Sequence, residues 1–81
     1  MKNYENINIQ GLGRQLKKDR LSANISAEKV AKTLGLTKAM IYRYESGIVT
    51  WIPFVTIVRF SKLYNQPISN YVQYVVSGGE K

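Results

Sequence analysis

An all-α fold of five short helices is predicted for this chain by three observations. Apolar residues recur with a helical period along most of its length. Residues suited to start or stop a helix punctuate that pattern at short intervals. Neither a cysteine nor a histidine is present, so no disulfide or zinc-centred scaffold competes with a packed helical core. At 81 residues the chain suffices for one domain with a thin core, and self-association would help to stabilise it.

Residues 1–8 are polar and asparagine-rich and read as a loose arm. From Ile9 the helical period sets in: Ile9, Leu12 and Leu16 share a face with Arg20, while Arg14, Lys17 and Lys18 lie mostly off it. Asn24 tolerates a left-handed backbone, so the first helix should cover about 9–22. Ser26 is a suitable cap for a second helix, about 27–34, with Glu28 in the first turn where negative charge suits the helix dipole. Its stripe is Val30, Ala31 and Leu34, and Gly35 ends it.

Thr37 caps a third helix, about 38–46, in which Ile41 and Tyr44 face inward and Gly47 stops the chain. The connection Ile48-Val49-Thr50-Trp51-Ile52 is unusually apolar for an exposed loop. Pro53 suits the first turn of a fourth helix with the stripe Phe54, Ile57, Val58, Ser61 and Tyr64, stopped by Asn65. Pro67 opens a last helix, about 67–76, with Ile68, Tyr71, Val72 and Val75 on one face. Residues 71–76 are also rich in β-formers, and a strand is the alternative there. The domain is thus expected at 9–76, followed by a frayed tail at 77–81.

Twelve Lys and Arg against five Asp and Glu give a net charge of +7 and favour a polyanionic partner, either nucleic acid or an anionic membrane. No apolar run approaches the roughly 20 residues needed to span a bilayer. The first residues have no apolar core behind them and do not read as a signal peptide, so a soluble, cytoplasmic protein is expected. Without His, Cys, a phosphate loop or paired acids, neither an enzyme nor a cofactor or metal site is expected.

The informative segment is Ser26 to Gly47. Two short helices joined by about three residues cross steeply, which demands a small residue at the contact and a positive φ in the turn; Ala31 and Gly35 supply them. This order, with the Leu36-Thr37 pair, Ile41, the closing Glu45-Ser46-Gly47 and Arg20 at the end of the first helix, resembles the phage-repressor and Cro type of helix-turn-helix, also called Xre type. The resemblance covers roughly residues 12–76 and implies a lambda-repressor-like domain that binds double-stranded DNA, with the third helix in the major groove.

Carried over position by position, the resemblance implies base-reading roles for Lys38, Ala39, Tyr42 and Arg43. Arg43 suits a bidentate contact to guanine, and the Ala39 methyl suits a thymine methyl. Phosphate contacts are expected from Ser26, Thr37, Ser46 and Thr50, with Arg14, Lys17 and Lys29 adding field. Arg20 is expected to pair with Glu45 and clamp the first helix to the third. Family members often carry glutamine directly after the second helix's cap; Ala27 stands there instead and cannot make that phosphate contact.

Apolar residues beyond position 50 exceed what a three-helix core needs, which points to an exposed patch and an interface. Trp51, Phe54, Tyr71, Tyr74 and Val75 are the candidates for holding a homodimer together. A sequence-specific regulator, a repressor acting on a palindromic operator, is the simplest functional reading. The alternative is an antitoxin or a restriction-modification controller whose C-terminal half binds a protein partner such as a toxin.

Overall fold

The computed structural model describes residues 8–80, with the side chains of residues 8–74. The chain forms α1 (Ile9–Ser22), α2 (Ala27–Leu34), α3 (Lys38–Ser46), α4 (Phe54–Tyr64) and α5 (Ser69–Glu80), with no strand among the described residues. Residues 71–76 are therefore helical. The expected arm falls on residues outside the description apart from Asn8, which belongs to the domain. Its side chain accepts from the Gly11 N–H at 2.9 Å, capping α1, and its own N–H donates to the Tyr74 carbonyl at 3.0 Å.

The first four helices end in one and the same way. Asn24, Gly35, Gly47 and Asn65 take left-handed φ values of 61°, 71°, 73° and 56°. The residue after each then donates its N–H back into the helix: Ile25 to Arg20, Leu36 to Ala31, Ile48 to Arg43 and Gln66 to Ser61. This closure satisfies carbonyls that a helix end leaves without partners, and it explains why glycine and asparagine stand at those positions. The fifth helix departs from expectation. It starts at Ser69, two residues beyond Pro67, and continues past 76 to Glu80. Gly78 and Gly79 weaken a helix by about 1 kcal/mol each but do not stop one without a left-handed cap.

The core is assembled from every helix: Leu12, Leu16, Val30, Ala31, Leu34, Ile41, Tyr44, Ile57, Phe60, Tyr64 and Tyr71, with Ile52 reaching in from the connection. The stripe of α4 is corrected here. Ile57, Phe60, Ser61 and Tyr64 are the buried positions, whereas Phe54 is exposed and Val58 only half-buried. Phe60 fits the same spacing and lies at the centre of the aromatic core, stacked on Tyr64 at 5.7 Å and edge-on to Tyr44 at 6.2 Å. Phe54 sits in the first turn, a full turn before the helix meets the core at Ile57.

Helices α1 and α3 approach each other unusually closely at Gly13. A Cβ on that residue would lie 2.5 Å from the Tyr44 carbonyl oxygen and 2.6 Å from that of Glu45. Only hydrogen fits there, so this glycine sets how α3 is seated on the domain.

Candidate nucleic-acid interface

Thr37 begins α3 in extended conformation, and its hydroxyl oxygen accepts from the Met40 N–H at 3.1 Å. Ser26 does the same for α2, accepting from the Lys29 N–H at 3.1 Å. In both caps the hydroxyl proton remains available to an outside acceptor such as a phosphate. Ser46 differs: its hydroxyl donates to the Tyr42 carbonyl at 2.9 Å, so its proton is already engaged. Thr50 is exposed in the bend after α3. Ala27 is buried in the core, so this chain has filled the family's glutamine position with packing.

Helix α3 turns Ile41, Tyr44 and Glu45 inward. Lys38, Ala39, Tyr42, Arg43 and Ser46 are all exposed; at about 100° per residue they share one arc roughly 140° wide. The four base-reading candidates thus lie together on one outward face. Met40 is half-buried against the core. Of these side chains the charged ones are both cations, because the acid of this helix, Glu45, is turned away.

Glu45 is taken out of that face by Arg20. The Arg20 Nε donates to one carboxylate oxygen at 2.6 Å and a terminal nitrogen donates to the other at 3.2 Å, a bidentate pair buried between α1 and α3. A third donation, to the Ile25 carbonyl at 3.1 Å, fixes the guanidinium on the turn leading to α2. The hydrogen bond with Glu45 raises the Arg20 pKa above its ordinary value, against the desolvation that lowers it, so the arginine stays charged. The expected Arg20–Glu45 pair is present and ties α1 to α3.

Sequence reading missed Asp19, which is buried beside Arg20. Its carboxylate accepts from the Tyr71 hydroxyl at 2.6 Å and from the Gln15 amide at 3.0 Å. The Tyr74 hydroxyl in turn donates to Gln15 at 2.9 Å. The signal was in the spacing: Asp19 continues the stripe of Leu12 and Leu16 at the helical interval. Arg59 was also missed. Its guanidinium donates to the Leu34 carbonyl at 3.1 Å, closing the end of α2 just before the turn.

These bonds correct the expected dimer surface. Tyr71 is fully buried within its own chain, and Tyr74 is half-buried and engaged with α1. Trp51 and Phe54 are exposed. The side chain of Val75 lies outside the described residues.

Charge is distributed one-sidedly. Between residues 8 and 74, Arg14, Lys17, Lys18, Lys29, Lys32, Lys38, Arg43, Arg59 and Lys62 are all exposed. Asp19 and Glu45 are buried, leaving Glu28 as the one exposed carboxylate among the described side chains. The surface is therefore more basic than the net charge suggests.

A family model for the Cro/C1-type helix-turn-helix matches residues 16–69. The chain belongs to that helix-turn-helix family. Neither a curated protein nor a solved structure gave a match. The matched stretch holds both clamp residues, both helices of the motif, the apolar connection and α4. As a Cro/C1-type helix-turn-helix protein the chain is a DNA-binding transcription regulator of a lambda-repressor-like helical fold. The family is a DNA-binding regulatory one, typically non-enzymatic. No helix among the described residues is long and apolar enough to cross a membrane.

Proposed function

We propose that the protein is a sequence-specific repressor that binds a palindromic operator as a homodimer, each copy placing α3 in the major groove. The observation that carries this reading is the outward arc of α3. It presents Lys38, Arg43, Tyr42 and Ala39 with no carboxylate among them, because Arg20 holds Glu45 inside. Arg43 suits guanine O6 and N7, Lys38 reaches the same atoms less rigidly, and Ala39 offers a methyl to thymine. Tyr42 lies beside them for base edge or sugar-phosphate backbone.

Ser26 and Thr37, with Lys29, Arg14 and Lys17, supply the sequence-independent part, positioning the domain by phosphate contacts. Ser46 contributes its backbone position more than its hydroxyl, which is already donating. Thr50 extends the phosphate track beyond α3.

Selection from a randomised duplex pool tests the reading, followed by titration of the recovered site against scrambled DNA at two salt concentrations. An inverted repeat is expected, bound far more tightly than the scrambled duplex. Arg43→Ala should cost roughly 1–3 kcal/mol and relax the preference at one base position in each half. Lys29→Ala should weaken all sequences alike and lower the salt slope by about one. Equal, salt-abolished binding to both duplexes would refute sequence-specific regulation.

A further inference from the structure

Two copies of a chain carrying +7 repel each other wherever their charged surfaces meet. Two long stretches carry no charged side chain, Ser46 to Val58 and Leu63 to Gly79, and among the described residues only the first exposes large apolar side chains. Within it Ile48, Trp51, Phe54 and Val55 are exposed to 70%, 61%, 63% and 65%, while Ile52 is buried and Val49 packs against the core. The run is pinned from beneath and turns four large apolar groups outward.

Ile48 adds an independent anomaly. An apolar residue that follows this kind of helix closure ordinarily packs back against its own helix. Ile25 after α1 and Leu36 after α2 do pack against the core. Ile48 stands in the equivalent place after α3 and is left in solvent. Among the described residues nothing covers it.

We propose that the Ile48–Val55 run is the surface on which two copies of this chain meet, weakly in free solution and fully only on DNA. The proposal rests on the homodimer reading above and moves the contact from α5 to the connection between α3 and α4. Among its described side chains helix α5 offers less, because Tyr71 and Tyr74 are spent on α1. A second copy is the fitting occupant because this neutral, apolar patch is where two polycations approach at least electrostatic cost.

The area sets the strength. At these exposures the four side chains present on the order of 400 Å². That matches the largest apolar patches of monomers and is about half of the roughly 800 Å² per partner in a stable interface. Such a contact needs help, and DNA gives it by neutralising both copies and holding them side by side. The geometry allows it. Recognition helices one DNA turn apart sit about 34 Å from each other, or about 17 Å from the dyad. From Tyr42 in mid-α3 the chain reaches Trp51 through four helical residues, about 6 Å, and five of connection, at most about 17 Å.

Trp51 is the sole tryptophan, so the contact reports on itself. Sedimentation velocity and tryptophan emission of the full chain, without DNA, are measured against protein concentration at low and high salt. Dimer fraction and a blue shift should rise together with concentration, and both should rise with salt, since screening removes the repulsion. Val55→Glu should fold normally, stay monomeric and keep a red-shifted emission. It should bind a single half-site duplex as the unaltered chain does, yet lose at least tenfold on the palindrome recovered by selection.

A dimer that survives Val55→Glu and Phe54→Glu alike places the contact elsewhere and overturns the proposal. So does a monomer at every concentration that also loads the palindrome one copy at a time. A blue-shifted emission in the DNA-free monomer means that the chain covers its own patch. Emission that shifts only in a one-to-one complex with a half-site puts the ring on the DNA backbone; both results are equally fatal. Failure of the unaltered chain to prefer any DNA sequence would remove the regulator reading instead, while the DNA-free measurement still decides the interface.

Discussion

Gly13→Ala adds one methyl group at the point where α1 meets α3, and its cost follows from the geometry. The new Cβ would stand 2.5 Å and 2.6 Å from two backbone carbonyl oxygens, where ordinary contact begins at 3.4 Å. Neither oxygen belongs to a side chain that can swing aside, so the helices must separate by several tenths of an ångström. Alanine gains about 1 kcal/mol over glycine inside a helix, whereas overpacking costs about 1–3 kcal/mol. With rigid backbone on the receiving side the upper end applies, leaving a net loss of about 1–2 kcal/mol. For a domain of this size that lowers Tm by roughly 5–15 °C.

Gly35→Ala is the companion experiment. It changes the unfolded chain identically, but its new methyl group would meet nothing within 4 Å, and its strain comes from a φ of +71°. Both variants should melt early in circular dichroism. Only Gly13→Ala should also weaken half-site DNA binding under conditions where the protein is fully folded, because only there is α3 lifted from its seat. A Gly13→Ala protein as stable as the parent would refute the close approach and the seating argument with it.

Glu45→Ala leaves the Arg20 guanidinium buried without its carboxylate and should cost about 3–5 kcal/mol, much of the stability of so small a domain, as read by urea denaturation. Asp19→Ala should cost less, about 1.5–3 kcal/mol, by orphaning the Tyr71 hydroxyl; a Tyr71→Phe, Asp19→Ala double-mutant cycle with no coupling energy would contradict this. Tyr64→Phe should leave stability unchanged or raise it by about 1 kcal/mol, because the Tyr64 hydroxyl is buried with no hydrogen-bond partner among the described residues. Alkaline titration should unfold the protein early. Burial foremost, helped at Tyr71 by the bond to Asp19 and at Tyr64 by the charge of Glu45, raises both hydroxyl pKa values above the ordinary 10.0. A raised folded pKa contributes stability below the unfolded value and loses it above, so stability should fall from about pH 10 upward, by up to about 1.4 kcal/mol per pH unit for each tyrosine. A flat Tm between pH 9 and 11 would count against it.

The backbone plan was legible because its signals are local. Asn24, Gly35, Gly47 and Asn65 announce left-handed ends by residue type alone, and Ser26 and Thr37 announce caps. Glu45 and Arg20, 25 residues apart, were legible through resemblance and not through spacing. What stayed hidden depends on how helices dock. Asp19 lies on the stripe by its spacing, but its partner Tyr71 comes from 52 residues away. Gly13 gave no sign of its role, since close approach is a property of two helices at once. Phe54 fell off the expected stripe of α4, and Phe60 onto it, because apolar character does not say which turn of the helix first touches the core. The DNA-facing assignments rest on exposure and arrangement, and binding measurements decide them.

Asp19 and Arg20 are neighbours in sequence, yet one is tied to the last helix and the other to α3. On a ribosome the two ties close at different times. Glu45 emerges first, so α3 can be tied to α1 before the partner of Asp19 in the last helix exists. The bond to Asp19 from Gln15 lies within α1, but the Tyr71 hydroxyl reaches the other oxygen only when the last helix appears. A chain cut short after α4 would therefore keep the tie between α1 and α3 above an acid that has lost its bond to the last helix. Such a chain would keep α3 docked on α1 while being less stable than the whole protein by the value of the Tyr71–Asp19 bond.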